Sequence, residues 1–450
     1  MLVGIVRAII IAALFFVTVP VSAQDGRLTR DEGRNFAVQL LQSGQAAAAK
    51  AIAEGLLSAD PQDVIALILL SQAERNLGNF QTARQAGQAA WAYATTDNDR
   101  FVAATVTAQA FSSEEKYTRA QFWLRRASNF APNDAMVETL ARDYSTLRRV
   151  NPLQFNLQFG VAPSSNINNG SSVDSIEFGG LTFLLSPSAR NLSGYEISAS
   201  GELVYRIHED ERRRTSVGAS ALILRYVMTD QSRELAPNFD PSDRAFNRLE
   251  LFARRDWAAN LGLISAEIEF SASTLGGDPY STETLIGIKR IWLPSESTRL
   301  DGALSIGSLN YIQSGDTAQV WSGNLSWQKA LTNDDSVRLS TYFGRTYSEN
   351  SSIASTTKSI HATYDLGSIA ETLSLNVGLG YQWRDFGPST LAPFGREDRK
   401  TSLNINLGFP DVEYFGFTPV VQFEAQTTES NIARYQTEAV SFDISFRSSF

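Results

Sequence analysis

The sequence predicts an α plus transmembrane β architecture: N-terminal α-helical hairpins followed by an antiparallel membrane β-barrel of about fourteen strands. Three observations predict it. Alanine-rich segments with a helical period recur between about Arg30 and Arg149. After Arg148 to Pro152 the apolar period changes from near 3.6 to 2. The alternating segments that follow run to ten residues or more, the length a tilted membrane strand needs and longer than the ~5–6 residues usual in soluble sheets.

The first 23 residues, MLVGIVRAIIIAALFFVTVPVSA, carry Arg7, an apolar run from Ala8 to Val19 and then Val21-Ser22-Ala23. A basic start, a short apolar core and small residues before Gln24 predict a cleaved signal peptide over 1–23. The other reading, an anchor helix, meets a run shorter than the ~20 residues that span a bilayer. No cysteine follows, or occurs anywhere in the 450 residues, so disulfides and thiolate zinc sites are excluded. The formal net charge of -9 and the lack of a basic stripe argue against a nucleic-acid partner.

Residues 24–149 are expected to form the helical domain. Three stretches align: GQAAAAKAIAEGLLSADPQD, GNFQTARQAGQAAWAYATTD and EKYTRAQFWLRRASNFAPND. Their shared small residue falls at Ala49, Ala83 and Ala120, so successive copies lie 34 and 37 residues apart, close to the 34-residue period of tetratricopeptide repeats. Gly44 and Gly78 fit turns, Phe80 and Tyr117 stand three places before the small residue, and Pro61 and Pro132 follow twelve places after it, where proline ends a second helix. The middle copy lacks that proline. Stacked hairpins of this kind bury a shared seam and usually present a curved surface to a peptide or partner domain; an alanine-rich helical spacer is the alternative.

Residues 150–450 are expected to form the barrel. In YEISASGELVYRIH, Tyr195, Ile197, Ala199, Leu203, Tyr205 and Ile207 share one face, against Glu196, Ser198, Ser200, Glu202, Arg206 and His208 on the other. LSLNVGLGYQWRD and LNINLGF alternate in the same way. A soluble sandwich also alternates. The polar faces here hold Glu, Asn, Gln and Arg, which suit a wet lumen better than a dry core, and aromatics such as Tyr195, Tyr205, Tyr381 and Trp383 lie toward strand ends, as in membrane girdles. Strands are expected to begin near Leu153, Gly194, Arg214, Ala245, Asn260, Thr282, Thr298, Ala318, Ser336, Ile353, Glu371, Arg399, Tyr414 and Arg434. EDER, PSES and TNDD read as tight turns, and the links between them as long loops on the opposite side.

The chain closes on AVSFDISFRSSF. A terminal strand ending at Phe450 would pair with the first strand and leave no free edge. It also resembles the C-terminal signal through which bacterial outer-membrane proteins meet their insertion machinery.

Catalytic, cofactor-binding and metal-binding residues are not expected, and the protein is not expected to be an enzyme. The two histidines, His208 and His361, sit in ordinary strand contexts, and no nucleophile elbow, P-loop, dinucleotide fingerprint or ligand cluster is present in the sequence. GVAPSSNINNG, Gly160 to Gly170, leaves two readings open: a tightly folded loop start, which Asn and Gly favour, or a loop that folds into the lumen or touches cargo.

The order of leader, short tetratricopeptide-type module and fourteen-stranded barrel resembles the surface lipoprotein assembly modifiers, the Slam family. APSSNINNG at the start of the barrel domain is similar to the corresponding stretch of that family's C-terminal barrel domain. The resemblance implies a Gram-negative outer-membrane translocator that delivers lipoproteins or related secreted client proteins to the cell surface. It also implies a helical module in the periplasm that receives the client and a barrel in contact with outer-membrane lipid that passes it; the residues themselves give no reason to expect a cofactor. A polysaccharide exporter that joins such repeats to a barrel, and a passive porin with a periplasmic protein-binding module, are the alternatives.

Overall fold

The computed structural model describes residues 29–448 except 179, 332–334, 371–372, 390–391, 410–411 and 413–416. The expected signal peptide over 1–23 and the terminal Phe450 lie outside the described residues. The chain divides into two compact units that part between Glu138 and Thr139, whereas the change of sequence period falls at Arg148 to Pro152.

The first unit is built from helices α1 (Arg30–Gln42), α2 (Ala46–Ala59), α3 (Val64–Asn76), α4 (Phe80–Tyr93), α5 (Asp97–Ser113) and α6 (Tyr117–Ser128), with α7 (Asp134–Val150) crossing the boundary. The repeat is visible in its turns. Gly44, Gly78 and Glu115 all adopt positive φ, at 77°, 83° and 59°. Each turn closes with the same bond, from Gln45 N to Leu40 O, Asn79 N to Glu74 O and Lys116 N to Phe111 O, the double-bonded end of a Schellman motif. Two copies use glycine there, and the third holds a glutamate in a backbone conformation that glycine adopts more easily.

Small residues set how closely the helices approach. Ala49, Ala83 and Ala120 are fully buried. Gly87 in α4 lies so near α5 that an added Cβ would stand 2.4 Å from Thr107 Oγ1. Aromatic rings fill the last hairpin: Trp91 meets Trp123 and Phe130 edge-on at 5.6 and 5.5 Å, and the Arg126 guanidinium lies 4.8 Å from the Trp123 ring centre.

The second unit is a closed antiparallel barrel of fourteen strands. In chain order come β1 (Leu153–Ser164), the small hairpin β2 (Ser175–Phe178) and β3 (Leu181–Leu184), β4 (Gly194–Glu209) and β5 (Arg213–Met228). A short helix α8 (Asp230–Leu235) precedes β6 (Phe246–Ala259), β7 (Gly262–Leu275), β8 (Asp278–Ser295), β9 (Thr298–Tyr311) and β10 (Thr317–Ala330). The wall is completed by β11 (Ser336–Tyr347), β12 (Ser355–Ala370), β13 (Leu373–Phe386), β14 (Arg396–Gly408), β15 (Phe417–Ser430) and β16 (Thr437–Ser448). The hairpin β2–β3 stands apart from the wall, and β1 pairs with β16 to close it. The number of strands is the number the sequence predicts, and each described start lies within four residues of the expected one; the expected starts at Glu371 and Tyr414 fall outside the described residues.

The two faces of the wall differ as the period of 2 requires. Outside stand Leu203, Leu249, Ile286, Leu304, Leu325 and Leu379, all exposed, which in a wall this regular is the face for hydrocarbon. Tyr205, Trp257, Trp292, Trp327 and Tyr364 ring the near end, where β1 begins. Tyr195, Trp321, Tyr347, Tyr381 and Trp383 ring the far end. Among the described residues no helix is long and apolar enough to cross a membrane.

The expectation that every far-end link is long needs correction. Gly276 and Gly277 alone join β7 to β8, because both take positive φ, at 63° and 94°, and so make the two-residue turn that suits twisted strands. At the near end the turns after β4, β6 and β8 are short, as EDER and PSES predict. The expected TNDD turn lies largely outside the described residues. Between β14 and β15 the near-end link takes the eight positions 409–416, more than the tight turns elsewhere at that end.

Candidate functional site

The inward side chains of β6, β7 and β8 form one ionic network. Arg248 Nη2 donates to Glu269 Oε1 and to Glu283 Oε2, each at 3.1 Å, with Glu250 Oε2 at 3.5 Å. One guanidinium therefore holds three carboxylates from three neighbouring strands in the charge-assisted geometry that arginine favours. Closer to the near end Arg254 pairs with Glu267, and Ser265 Oγ donates to Asp256 Oδ1 at 2.7 Å. These groups, with Arg214 and Lys289, line a cavity of about 530 Å3. Mixed charge on an inner wall keeps the lumen hydrated and disfavours apolar packing across it.

The lumen side beside the closing strands is acidic. Glu196, Glu424 and Asp443 lie near enough for their charges to interact. Asp443 reaches over β1 at Gly160, where an added Cβ would stand 2.7 Å from Asp443 Oδ1 and 2.9 Å from Ser198 Oγ. Glycine at 160 leaves room for both side chains.

At the far mouth, APSSNINNG turns out to be a clamp made of asparagine amides. Gly170 N donates to Asn166 Oδ1 at 2.8 Å, while Asn166 Nδ2 donates to Gly170 O at 3.0 Å and to Glu438 O at 3.1 Å. Asn168 Nδ2 donates to Ser188 O and Arg190 O, and Leu192 N donates to Asn168 Oδ1 at 2.9 Å. Both side chains thus act as backbone mimics: Asn168 pins the two ends of the loop 165–193 together, and Asn166 closes the loop start on Gly170 and fastens it to β16. An added Cβ on Gly170 would lie 2.1 Å from Arg190 O, so the close approach requires glycine.

The clamp also presses Ile167 inward. A Cβ on inward-facing Gly194 would stand 2.6 Å from Ile167 Cδ1, and Ile167 packs with Leu192, Met228 and Ala236, flanked by Tyr226 and Phe239. The first two far-end loops are therefore tied together by an apolar cluster over the β4–β5 wall. Both readings left open for the motif hold in part: it is a tight loop start, and it carries an apolar side chain to the lumen side.

Neither histidine joins a catalytic arrangement. His208 Nε2 lies 3.3 Å from Asp210 Oδ2 in the exposed β4–β5 turn. There the Arg212 backbone N–H, followed by the His208 ring, holds the Asp210 carboxyl down at about 2. His361 faces the lumen over Gly380, where an added Cβ would meet its Nδ1 at 2.5 Å. Among the described residues no cluster of His, Cys, Asp and Glu has metal-site geometry.

The sequence reading singled out neither Arg248 with its carboxylates nor the separate roles of Asn166 and Asn168. Alternation in NRLELFARR places Arg248 and Glu250 on one face, but the partners arrive from β7 and β8 through a register that a single strand does not reveal.

Residues 248–450 match the sequence model of a family described as surface lipoprotein assembly modifier. The matched part runs from β6 to β16, so the resemblance read from sequence holds for most of the barrel, and APSSNINNG lies before it. No curated protein sequence matches the chain. Among solved structures the helical unit is similar to SycD, a type III secretion translocator chaperone of Yersinia enterocolitica, at 14% identity over 27% of this chain and 88% of that one, TM-score 0.25. The barrel is similar to a loop-deletion mutant of OmpT, an outer membrane protein of Vibrio cholerae, at 9% identity over 66% and 98% of the two chains, TM-score 0.37. It is likewise similar to a BenF-like porin from Pseudomonas fluorescens Pf-5, at 8% identity over 66% and 99%, TM-score 0.38. The chain joins helical hairpins to a closed fourteen-stranded antiparallel β-barrel.

Proposed function

On the premise that residues 248–450 are a surface lipoprotein assembly modifier barrel, we propose that the protein delivers lipoproteins or related secreted client proteins to the cell surface. The family match over eleven strands of the closed barrel carries this reading. In it, residues 1–23 are a signal peptide, 24–149 a periplasmic receiving domain and 150–450 the outer-membrane domain. The near end of the barrel then faces the periplasm and the clamped loops face outward. The strand ending at Phe450 addresses the insertion machinery, and outer-membrane lipid surrounds the apolar belt.

The physical division of labour follows from the two surfaces. Helical hairpins offer their curved face to an extended client segment, and the hydrated, mixed-charge lumen carries polar backbone that hydrocarbon would reject. Transfer of this kind needs no bond made or broken, so the protein is not an enzyme.

Deleting residues 30–149 tests the reading, provided heat-modifiable migration on gels shows that the barrel still inserts. Surface display of the client, read by proteolysis of intact cells, should be lost. Unchanged display would rule the proposed receiving role out.

A further inference from the structure

Thirteen of the fourteen neighbouring strand pairs register continuously or nearly so, over eleven to fifteen residues each. The closing pair differs: among the described residues β1 meets β16 only from Gln158 to Val161 and again at Ser164. The interruption falls at Ala162 and Pro163, and proline brings no N–H to the ladder. Beyond the gap one backbone bond resumes, from Ser165 N to Val440 O at 3.0 Å, and at each end a hydroxyl takes the place of one backbone acceptor. Leu157 N donates to Ser448 Oγ at 2.8 Å and Val440 N to Ser165 Oγ at 2.9 Å.

The other edge of β1 is held much more firmly. It registers with β4 along all twelve residues from Leu153 to Ser164. Only Asn151 and Pro152 separate α7 from β1, and Arg206 of β4 fixes that junction by donating through Nη2 to the carbonyls of Arg149, Val150 and Asn151. Arg206 N also donates to Pro152 O at 2.8 Å. A load applied through α7 therefore acts on β1 and β4 as one piece, and the join that resists it least is β1–β16.

We infer that the barrel wall parts sideways between β1 and β16 and that this seam is where a lipid-anchored client leaves the lumen for the membrane. The inference rests on the delivery role proposed above. Such a client has polypeptide that needs water and acyl chains that need hydrocarbon, and a permanently closed cylinder serves only the first. A parted seam serves both. The side chains behind it, Asp443 over Gly160 and Ser198 beside it, are polar and leave no apolar core to break when the strands separate.

Two measurements on the full-length protein decide it. The first needs no client: amide hydrogen exchange of the protein in lipid nanodiscs, where segment 157–161 should exchange at least tenfold faster than segment 302–306 of the β9–β10 pair. Equal rates would overturn the seam. The second uses the absence of cysteine to lock the seam with a Val161→Cys/Ile444→Cys pair, directly opposed in the register and within disulfide reach. The control lock is Ser305→Cys/Ser322→Cys, whose hydroxyls stand 2.6 Å apart. With a lipoprotein client in intact cells, the oxidised seam lock should cut surface display at least tenfold, reductant should restore it, and the control lock should leave it unchanged. Display that survives the seam lock would overturn the exit route. Should the unlocked protein display no client at all, the delivery role fails and the exchange rates alone judge the seam.

Discussion

The helical unit and the barrel solve the burial problem in opposite directions. In the first, the buried positions are small: Ala49, Ala83 and Ala120 are fully buried, and helices meet across Gly87. In the second, large apolar side chains point outward, with Leu304 66% and Leu325 67% exposed, and polar groups occupy the inside. The same residue type therefore carries a different meaning on either side of Pro152. A small residue marks close packing before it, a leucine marks the lipid face after it, and solvent identity decides which.

Substitutions that invert each rule sharpen the contrast. The largest effect is expected from Leu304→Arg, which places a charge in mid-belt and should cost about 2–4 kcal/mol of barrel stability; unfolding in lipid bilayers followed by gel mobility measures it. Arginine at Ser322, whose side chain faces the lumen on the next strand, should leave the same midpoint nearly unchanged. A loss of equal size at both would break the comparison.

Next comes Gly87→Val, which has no room beside Thr107 and should destabilise the helical unit by about 1–3 kcal/mol while the barrel keeps its unfolding midpoint. Circular dichroism at helical and sheet wavelengths separates the two responses. Asn168→Ala removes the amide that ties Ser188, Arg190 and Leu192, leaving backbone groups unpaired at about 1–3 kcal/mol. The expected readout is rapid proteolysis within 165–193 with the strand wall intact. The smallest effect is a gain: Glu115→Gly relieves a left-handed glutamate and should stabilise the helical unit by about 0.5–1 kcal/mol, seen as a small rise in its melting temperature.

Much of the architecture is written in local pattern. The three turns were marked by Gly44, Gly78 and the alignment that puts Glu115 in the same place, because a Schellman end needs only one left-handed residue at a fixed offset. Strand starts such as Leu153, Gly194, Thr298 and Ser336 coincide with those expected from alternation, since a membrane strand must keep its period along its whole length. Connection length was less legible: the tight Gly276–Gly277 turn sits among longer loops, and the 409–416 link breaks the run of short ones.

What the sequence hid was pairing. Arg248 reaches carboxylates on β7 and β8, and the gap at Ala162–Pro163 concerns β16, far along the chain. Register of this kind depends on shear around the closed wall, which no single segment encodes. The asparagine clamp was hidden for a related reason: APSSNINNG shows turn chemistry, but its partners at Ser188, Arg190 and Glu438 are distant in sequence.

The central claim is a wall wet on one face and lipid-covered on the other. Because the natural chain has no cysteine, single cysteines placed in turn from Trp321 to Ser326 along β10 can be probed with a water-soluble and a lipid-soluble maleimide after reconstitution into bilayers. Ser322, Asn324 and Ser326 should react with the soluble reagent, and Trp321, Gly323 and Leu325 with the lipid-soluble one. Uniform labelling by either reagent along the six positions would contradict the account.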